Sequence, residues 1–151
     1  MDIHTANILD LGALRKLEKA CFEKDAWPLL DLIAVLTWPD VIRLKAMEDG
    51  EMIGFVVGDP RRSNGEAWIS TIGVDPGYRR RGIGLELLRA CEGQVKLPRV
   101  KLTVRISNDG AISLYKKAGY WTIDIWKRYY SDGEDGLVME KILGDDEHFS
   151  K

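Results

Sequence analysis

Three successive arginines, Arg79, Arg80 and Arg81, run into Gly82-Ile83-Gly84 at the end of the stretch VDPGYRRRGIG. An apolar pattern at Ile83, Leu87, Leu88, Cys91 and Val95 follows at helical spacing. A strand, a glycine-rich turn and a helix together form an anion cradle. The first helical turn offers unpaired N–H groups and the positive end of the dipole, and glycine lets a bulky phosphate approach the backbone. Neighbouring arginines add charge-assisted hydrogen bonds. Such a cradle suits a pyrophosphate. The pattern G-x-x-x-x-G-K-[ST] is absent, and G-x-G-x-x-G fails because Leu87 stands where its third glycine belongs. From these residues alone, a solvated turn joining a strand to a helix stays open.

A second stretch, SNDGAISLYKKAGY, carries a phenol, Tyr115, on a short helical pattern between Asn108 and Gly119. A phenol there is either a proton donor or a core tyrosine sharing a face with Ala111 and Ala118. Asn108 is either a ligand contact or a plain helix cap. Cys21 and Cys91 both fall on apolar sides of helical patterns and read as packed thiols, without metal-ligand spacing or a disulfide framework. His4 reads as a structural histidine. No metal site is expected.

The elements that must position these groups follow from periodicity. DIHTA reads as a first strand, and Asn7 or Asp10 caps a helix with Leu11, Leu14, Leu17 and Cys21 on its face. PLLDLIAVL reads as a second helix with Pro28 in its first turn. VIRLKAME and EMIGFVVG flank a hairpin turn at Asp49-Gly50, PRRSNG reads as a loop, and EAWISTIGV as a buried strand. After the helix from Gly82, which Pro98 closes, RVKLTVR is a strand; YWTIDIWKRYY and LVMEKIL read as a final hairpin pair. The expectation is an α/β fold: one domain over 1–143, with a central mixed, mostly antiparallel sheet of about seven strands and helices on both faces. Residues 144–151 read as a polar, acidic, flexible tail.

Length 151 suits one domain with its own core, and 45% apolar against 30% charged residues suits a globular chain. The formal net charge of −2 argues against a nucleic-acid binder, which is usually clearly basic. No apolar run approaches the ~20 residues of a membrane span. MDIHTANILD lacks the basic-then-apolar order of a signal peptide, so a cytoplasmic location is expected.

With these residues in view, VDPGYRRRGIG resembles the acetyl-CoA-binding signature of the GNAT acetyltransferases, [QR]-x-x-G-x-[GA], as Arg79-x-x-Gly82-x-Gly84. The second stretch resembles the same family's N-x-x-A-x-x-L-Y-x-x-x-G-[FY], through Asn108, Ala111, Leu114, Tyr115, Gly119 and Tyr120. KRYYSDGEDGLVM is similar to the branch that acetylates protein N-termini, including ribosomal-protein alanine acetyltransferases and archaeal relatives. The resemblance covers roughly Ile53 to Met139 and is weaker over the first 50 residues. It implies transfer of acetyl from acetyl-CoA, the co-substrate, to an α-amine by direct attack in a ternary complex. The acceptor would be a protein or peptide N-terminus, with a ribosomal protein among the candidates. The resemblance implies that Ile72, Gly73 and Val74 flank the thioester and pantetheine arm, a Val74 N–H polarising the acetyl carbonyl. It places Arg79, Arg80, Arg81, Gly82, Ile83, Gly84 and Leu85 at the pyrophosphate and Asn108 on the coenzyme. Tyr115 would protonate the departing thiolate, while Trp27, Thr103, Tyr129 and Tyr130 would lie along the acceptor; for the two tyrosines, exposed strand-end aromatics are an equal reading.

Two departures bear on substrate. Many relatives place a glutamate or histidine base where Thr103 stands, and the aromatic-proline element is spaced differently here, as Phe22 and Trp27-Pro28. An α-amine has a pKa of about 8 against about 10.4 for lysine, so near neutral pH its reactive fraction is roughly two hundred times larger, close to ~3 kcal/mol. Loss of the carboxylate therefore harms α-amine transfer least. A GNAT enzyme acting on a small amine or a lysine, or a weakly catalytic CoA-binding module, is the alternative. Oligomeric state is left open.

Overall fold

The computed structural model describes residues 1–144, so all of the expected 144–151 tail except Gly144 lies outside the described residues. In chain order the elements are β1 (Asp2–Thr5), α1 (Leu11–Cys21), α2 (Leu29–Thr37), β2 (Ile42–Glu48), β3 (Glu51–Arg61), β4 (Glu66–Val74), α3 (Ile83–Val95), β5 (Arg99–Arg105), α4 (Asp109–Lys117), β6 (Trp121–Trp126) and β7 (Gly136–Ile142). The seven strands form one mixed sheet in the order β1-β2-β3-β4-β5-β7-β6. β4 and β5 are parallel, pairing Glu66–Trp68 with Arg99–Lys101. β1 with β2, β2 with β3, β5 with β7 and β6 with β7 are antiparallel. The fold is thus the expected single α/β domain. No helix among the described residues is long and apolar enough to cross a membrane.

Within it two compact units stand out, Met1–Asp59 with Ser70–Gln94, and Pro60–Ile69 with Val95 onward. In the first, Leu14 and Leu17 of α1 meet Leu32 and Leu36 of α2 over Phe55 and Val57 of β3. The hairpin between β2 and β3 turns on Asp49 and Gly50, both left-handed at φ 50° and 78°. This is the two-residue turn whose twist matches the flanking strands. α3 lies close on β3 because two glycines make room. A Cβ on Gly54 would stand 2.9 Å from Leu87 Cδ1, and one on Gly58 would stand 2.7 Å from Cys91 Sγ. Leu87 and Cys91 are one helical turn apart, so these seats fix the axis of α3 and where its N-terminus emerges.

In the second unit, β5 buries Val100, Leu102 and Val104 on one face by period-two alternation. α4 ends in a Schellman motif: Tyr120 N–H donates to Tyr115 O at 2.9 Å and Gly119 N–H to Lys116 O at 3.1 Å, with Gly119 at φ 102°.

Three expectations shift. β3 runs through Pro60 to Arg61, so the loop shrinks to a 3₁₀ turn over Arg62–Asn64; Pro60 is tolerated near a strand end, where its missing donor matters least. Pro28 precedes α2 as its cap instead of sitting in its first turn. β6 stops at Trp126, because Arg128 turns left-handed at φ 50°, so Tyr129 and Tyr130 sit in the β6–β7 loop.

Both thiols are packed. Burial pushes Cys91 up to about 12 and Cys21 up to about 11. At pH 7.5 the thiolate fraction is then below about one in a thousand. Iodoacetamide is expected to leave the native protein unlabelled over minutes and to label both cysteines in denaturant, read by mass spectrometry; rapid native labelling of Cys91 would refute its burial.

Candidate active site

The end of β4 is fixed by its own turn. Asp75 N–H donates to Ile53 O at 2.8 Å, and the Asp75 carboxylate accepts from Gly77 N–H at 2.8 Å, capping the turn Pro76–Tyr78. The arginines then diverge. Arg79 folds back and donates through Nε to Val74 O at 3.3 Å. Arg81 reaches Glu48 at 3.5 Å and lies 5.1 Å from the Tyr78 ring. Arg80 is exposed with φ 66°, and Gly82 follows at φ 77°. Left-handed residues of this kind turn successive N–H groups toward one side, as in anion-binding nests.

The first α3 bond runs from Glu86 N–H to Gly82 O at 3.0 Å. The N–H groups of Ile83, Gly84 and Leu85 therefore precede the helical ladder. A Cβ placed on Gly82 would meet nothing within 4 Å, so this backbone faces open space. Backbone N–H groups outside the helical ladder, a helix dipole and adjacent guanidinium groups fit a pyrophosphate. Ile72, Gly73 and Val74 form the strand end just before this cradle. Gly73 cannot carry a side chain cheaply, since its Cβ would lie 3.1 Å from Cys21 Sγ and 3.2 Å from Phe55 Cε1.

In the second unit, Tyr115 is buried at 7% exposure and stacks edge-on to Tyr120 at 6.1 Å between centroids. Burial first, and Tyr130 second, push the phenol well above its ordinary value. Asn108 caps α4: its Oδ1 accepts from Ala111 N–H at 3.2 Å, which leaves its amide nitrogen as the donor for a ligand. Thr103 pairs with Val138, and its Cγ2 lies 2.8 Å from where a Gly136 Cβ would be, with Tyr129 Cδ2 at 3.3 Å. Methyl and ring thus meet over a glycine.

Tyr129 belongs to an aromatic row. It lies 5.0 Å from Tyr130 and 5.2 Å from Trp126, and Trp126 stacks on Trp68 at 5.8 Å. Arg105 locks the loop that carries the tyrosines. Its Nη1 meets Glu134 at 2.8 Å and Asp132 at 2.9 Å, and its guanidinium lies 4.3 Å from the Tyr130 ring. Hydrogen bonds from Ser107 first and Arg105 second hold the Glu134 carboxyl below its usual range.

Trp27 is half-buried, packs against the α1–α2 core, and donates its backbone N–H to Glu18 Oε1 at 3.0 Å. Glu18 itself went unread in the sequence. Its position beside Leu14, Leu17 and Cys21 on the apolar face of α1 was the available signal. The part of Trp126 in the aromatic row was also missed. Trp121 is 47% exposed on β6. No group of three or more potential metal ligands occurs among the described residues.

The Acetyltransferase (GNAT) family matches residues 11–120. An N-alpha-acetyltransferase of Sulfurisphaera tokodaii is 30% identical, over 93% of this chain and 92% of its own. The N-alpha-acetyltransferase RimI of Mycobacterium tuberculosis is 34% identical over 80% of this chain and 78% of its own. Among solved structures, the ribosomal-protein-S18-alanine N-acetyltransferase of Escherichia coli superposes with a TM-score of 0.86 at 26% identity, covering 95% of this chain and 94% of its own. The chain belongs to the GNAT acetyltransferases, and acetyl-CoA is its co-substrate.

Proposed function

We propose that this acetyltransferase moves acetyl to the α-amino group of a protein or peptide N-terminus, by direct attack within a ternary complex. The observation that carries this reading is the similarity, over more than nine-tenths of both chains, to a protein named N-alpha-acetyltransferase. Thr103 at the usual base position agrees with it, because an α-amine needs the least help in losing its proton.

In this reading the N–H groups of Ile83, Gly84 and Leu85, with Gly82 and Arg80, hold the pyrophosphate. Arg79 and Arg81 shape the turn, with guanidinium charge to spare for the same anion. The strand end Ile72–Val74 aligns the pantetheine arm, and the Val74 N–H stabilises the oxyanion that forms as the amine attacks. Asn108 contributes its amide donors to the coenzyme. Tyr115 protonates the thiolate as the C–S bond breaks. Trp27, Thr103, Tyr129 and Tyr130 line the acceptor, and the row of Trp126 and Trp68 extends that wall.

The test is incubation with acetyl-CoA and peptides differing in their first two residues, together with N-blocked lysine peptides and polyamines, the acetyl group being located by mass spectrometry. Acetyl on free α-amines alone is expected. Acetyl on lysine or polyamine and not on α-amines would overturn the reading.

A further inference from the structure

The loop that carries Tyr129 and Tyr130 is docked more firmly than a connection between two strands needs. It runs from Lys127 to Asp135 between β6 and β7. Gly133 N–H donates to Tyr130 O at 2.9 Å and Tyr130 N–H to Glu134 O at 3.1 Å, so the loop closes on itself. A second set of bonds fastens it to the β5–α4 junction. Arg105 Nη1 donates to Glu134 Oε1 at 2.8 Å, to Asp132 Oδ2 at 2.9 Å and to Asp132 Oδ1 at 3.0 Å. Ser107 N–H donates to Glu134 Oε2 at 2.9 Å, and Ile106 N–H to Asp135 O at 3.2 Å. The guanidinium also lies 4.3 Å from the Tyr130 ring centroid.

Single ion pairs in water contribute little to stability. This clasp differs, because the Arg105 side chain is only 13% exposed, meets two carboxylates and has an aromatic ring against it. The strand beneath supplies a second seat. Thr103 and Arg105 share a face of β5 by alternation and stand opposite Val138 and Gly136 of β7. A Cβ on Gly136 would lie 2.8 Å from Thr103 Cγ2 and 3.3 Å from Tyr129 Cδ2. Tyr129 therefore rests beside Thr103 over a missing side chain, while Tyr130 rests on Arg105. Tyr129 is nevertheless 52% exposed. A large ring that is held in place and left uncovered offers contact area with little ordering still to be done when a ligand arrives.

We propose that Arg105 is the positioning residue of the acceptor wall: through Glu134 and Asp132 it holds the β6–β7 loop in the arrangement in which Tyr129 and Tyr130 meet the acceptor. Without the clasp the acceptor must order the loop as it binds, and that cost falls on acceptor affinity. The coenzyme contacts are spared. Asn108 keeps its own supports, its N–H on Arg105 O at 2.9 Å and its Oδ1 accepting from Ala111 N–H at 3.2 Å. Neither uses the guanidinium. The inference rests on the acceptor lying along this loop, as proposed above, and holds for any attacking amine. A lysine or polyamine acceptor in the peptide screen would overturn the α-amine reading and leave the clasp standing.

The experiment uses the full chain with whichever acceptor the screen identifies, and compares wild type with R105M, R105K, Y130A and R105M/Y130A, each below its own Tm. R105M is expected to raise KM for the acceptor about tenfold or more, with KM for acetyl-CoA within about twofold and kcat within about threefold. Lysine restores one charge without the planar fork, so R105K is expected to fall between R105M and wild type. Y130A is expected to raise acceptor KM as well, and the double variant to be no worse than the poorer single one. R105M with wild-type acceptor KM beside a raised value in Y130A would overturn the clasp alone. An unchanged acceptor KM in Y130A would overturn the acceptor role of the loop, and the clasp with it. In R105M, equal losses in both KM values and kcat would make Arg105 a stability residue only. Should R105M fail to fold, E134Q and R105K decide, since glutamine still accepts from Ser107 N–H but gives up the ion pair.

Discussion

Tyr115→Phe is expected to lower kcat by about a hundredfold while leaving KM for acetyl-CoA within about twofold. Phenylalanine keeps the ring that fills the buried site against Tyr120, so the fold and the coenzyme cradle persist. Only the proton is lost. General acids contribute roughly 10²–10⁴ in rate, and the low end applies because a thiolate with a conjugate acid near ~8.5 is already a fair leaving group. Burial acts in two directions. By raising the phenol it ensures that Tyr115 is protonated wherever the amine is reactive. In the proposed reading it also makes donation to sulfur uphill, so a tyrosinate left behind has to be refilled quickly. Steady-state kinetics on the peptide acceptor decide the matter; wild-type kcat in this variant would move the proton donor elsewhere.

Gly82→Ala is expected to raise KM for acetyl-CoA by tenfold or more, with a fall in stability of only about 1–2 kcal/mol. The second figure follows from φ 77°, where an L side chain is strained by about that much. No neighbour lies within 4 Å of the new methyl group, so packing adds nothing to the loss. The first figure follows from where that methyl group goes, into the space a phosphate would take against the backbone donors. Charge-assisted hydrogen bonds are worth about 1.5–3 kcal/mol each, so loosening one costs a factor of ten to over a hundred. Coenzyme titration beside a thermal melt separates the two effects. A variant with intact KM and lowered Tm would make Gly82 a turn residue only.

Period and punctuation carried most of the fold. Asp49-Gly50, the apolar stripe of α3 and Gly119 at the end of α4 each act locally, and each appears where local chemistry puts it. What the chain concealed depends on contacts distant in sequence. Glu18 went unread, because its burial depends on Trp27 closing over it from outside the helix. The three arginines read as equivalent until Val74, Glu48 and Tyr78 separate them. Tyr129 and Tyr130 read as strand residues because aromatics favour strands; a left-handed Arg128 and the Arg105 ion pairs place them in a held loop instead. The strand–turn–helix at Gly82 was legible because strand breakers and glycine are local devices.

The strand at the end of the sheet has a consequence for the protein as a solute. β6 is outermost, and Trp121, Ile123 and Ile125 are between 42% and 47% exposed along it. Such an edge is a ready template on which another chain can continue the hydrogen-bond ladder. Its ladder with β7 slips between Thr122 and Asp124, and the irregularity bends the template. Asp124 adds a charge that an incoming strand would have to desolvate. One skipped residue and one carboxylate thus both work against extension of this edge by a strand from another copy.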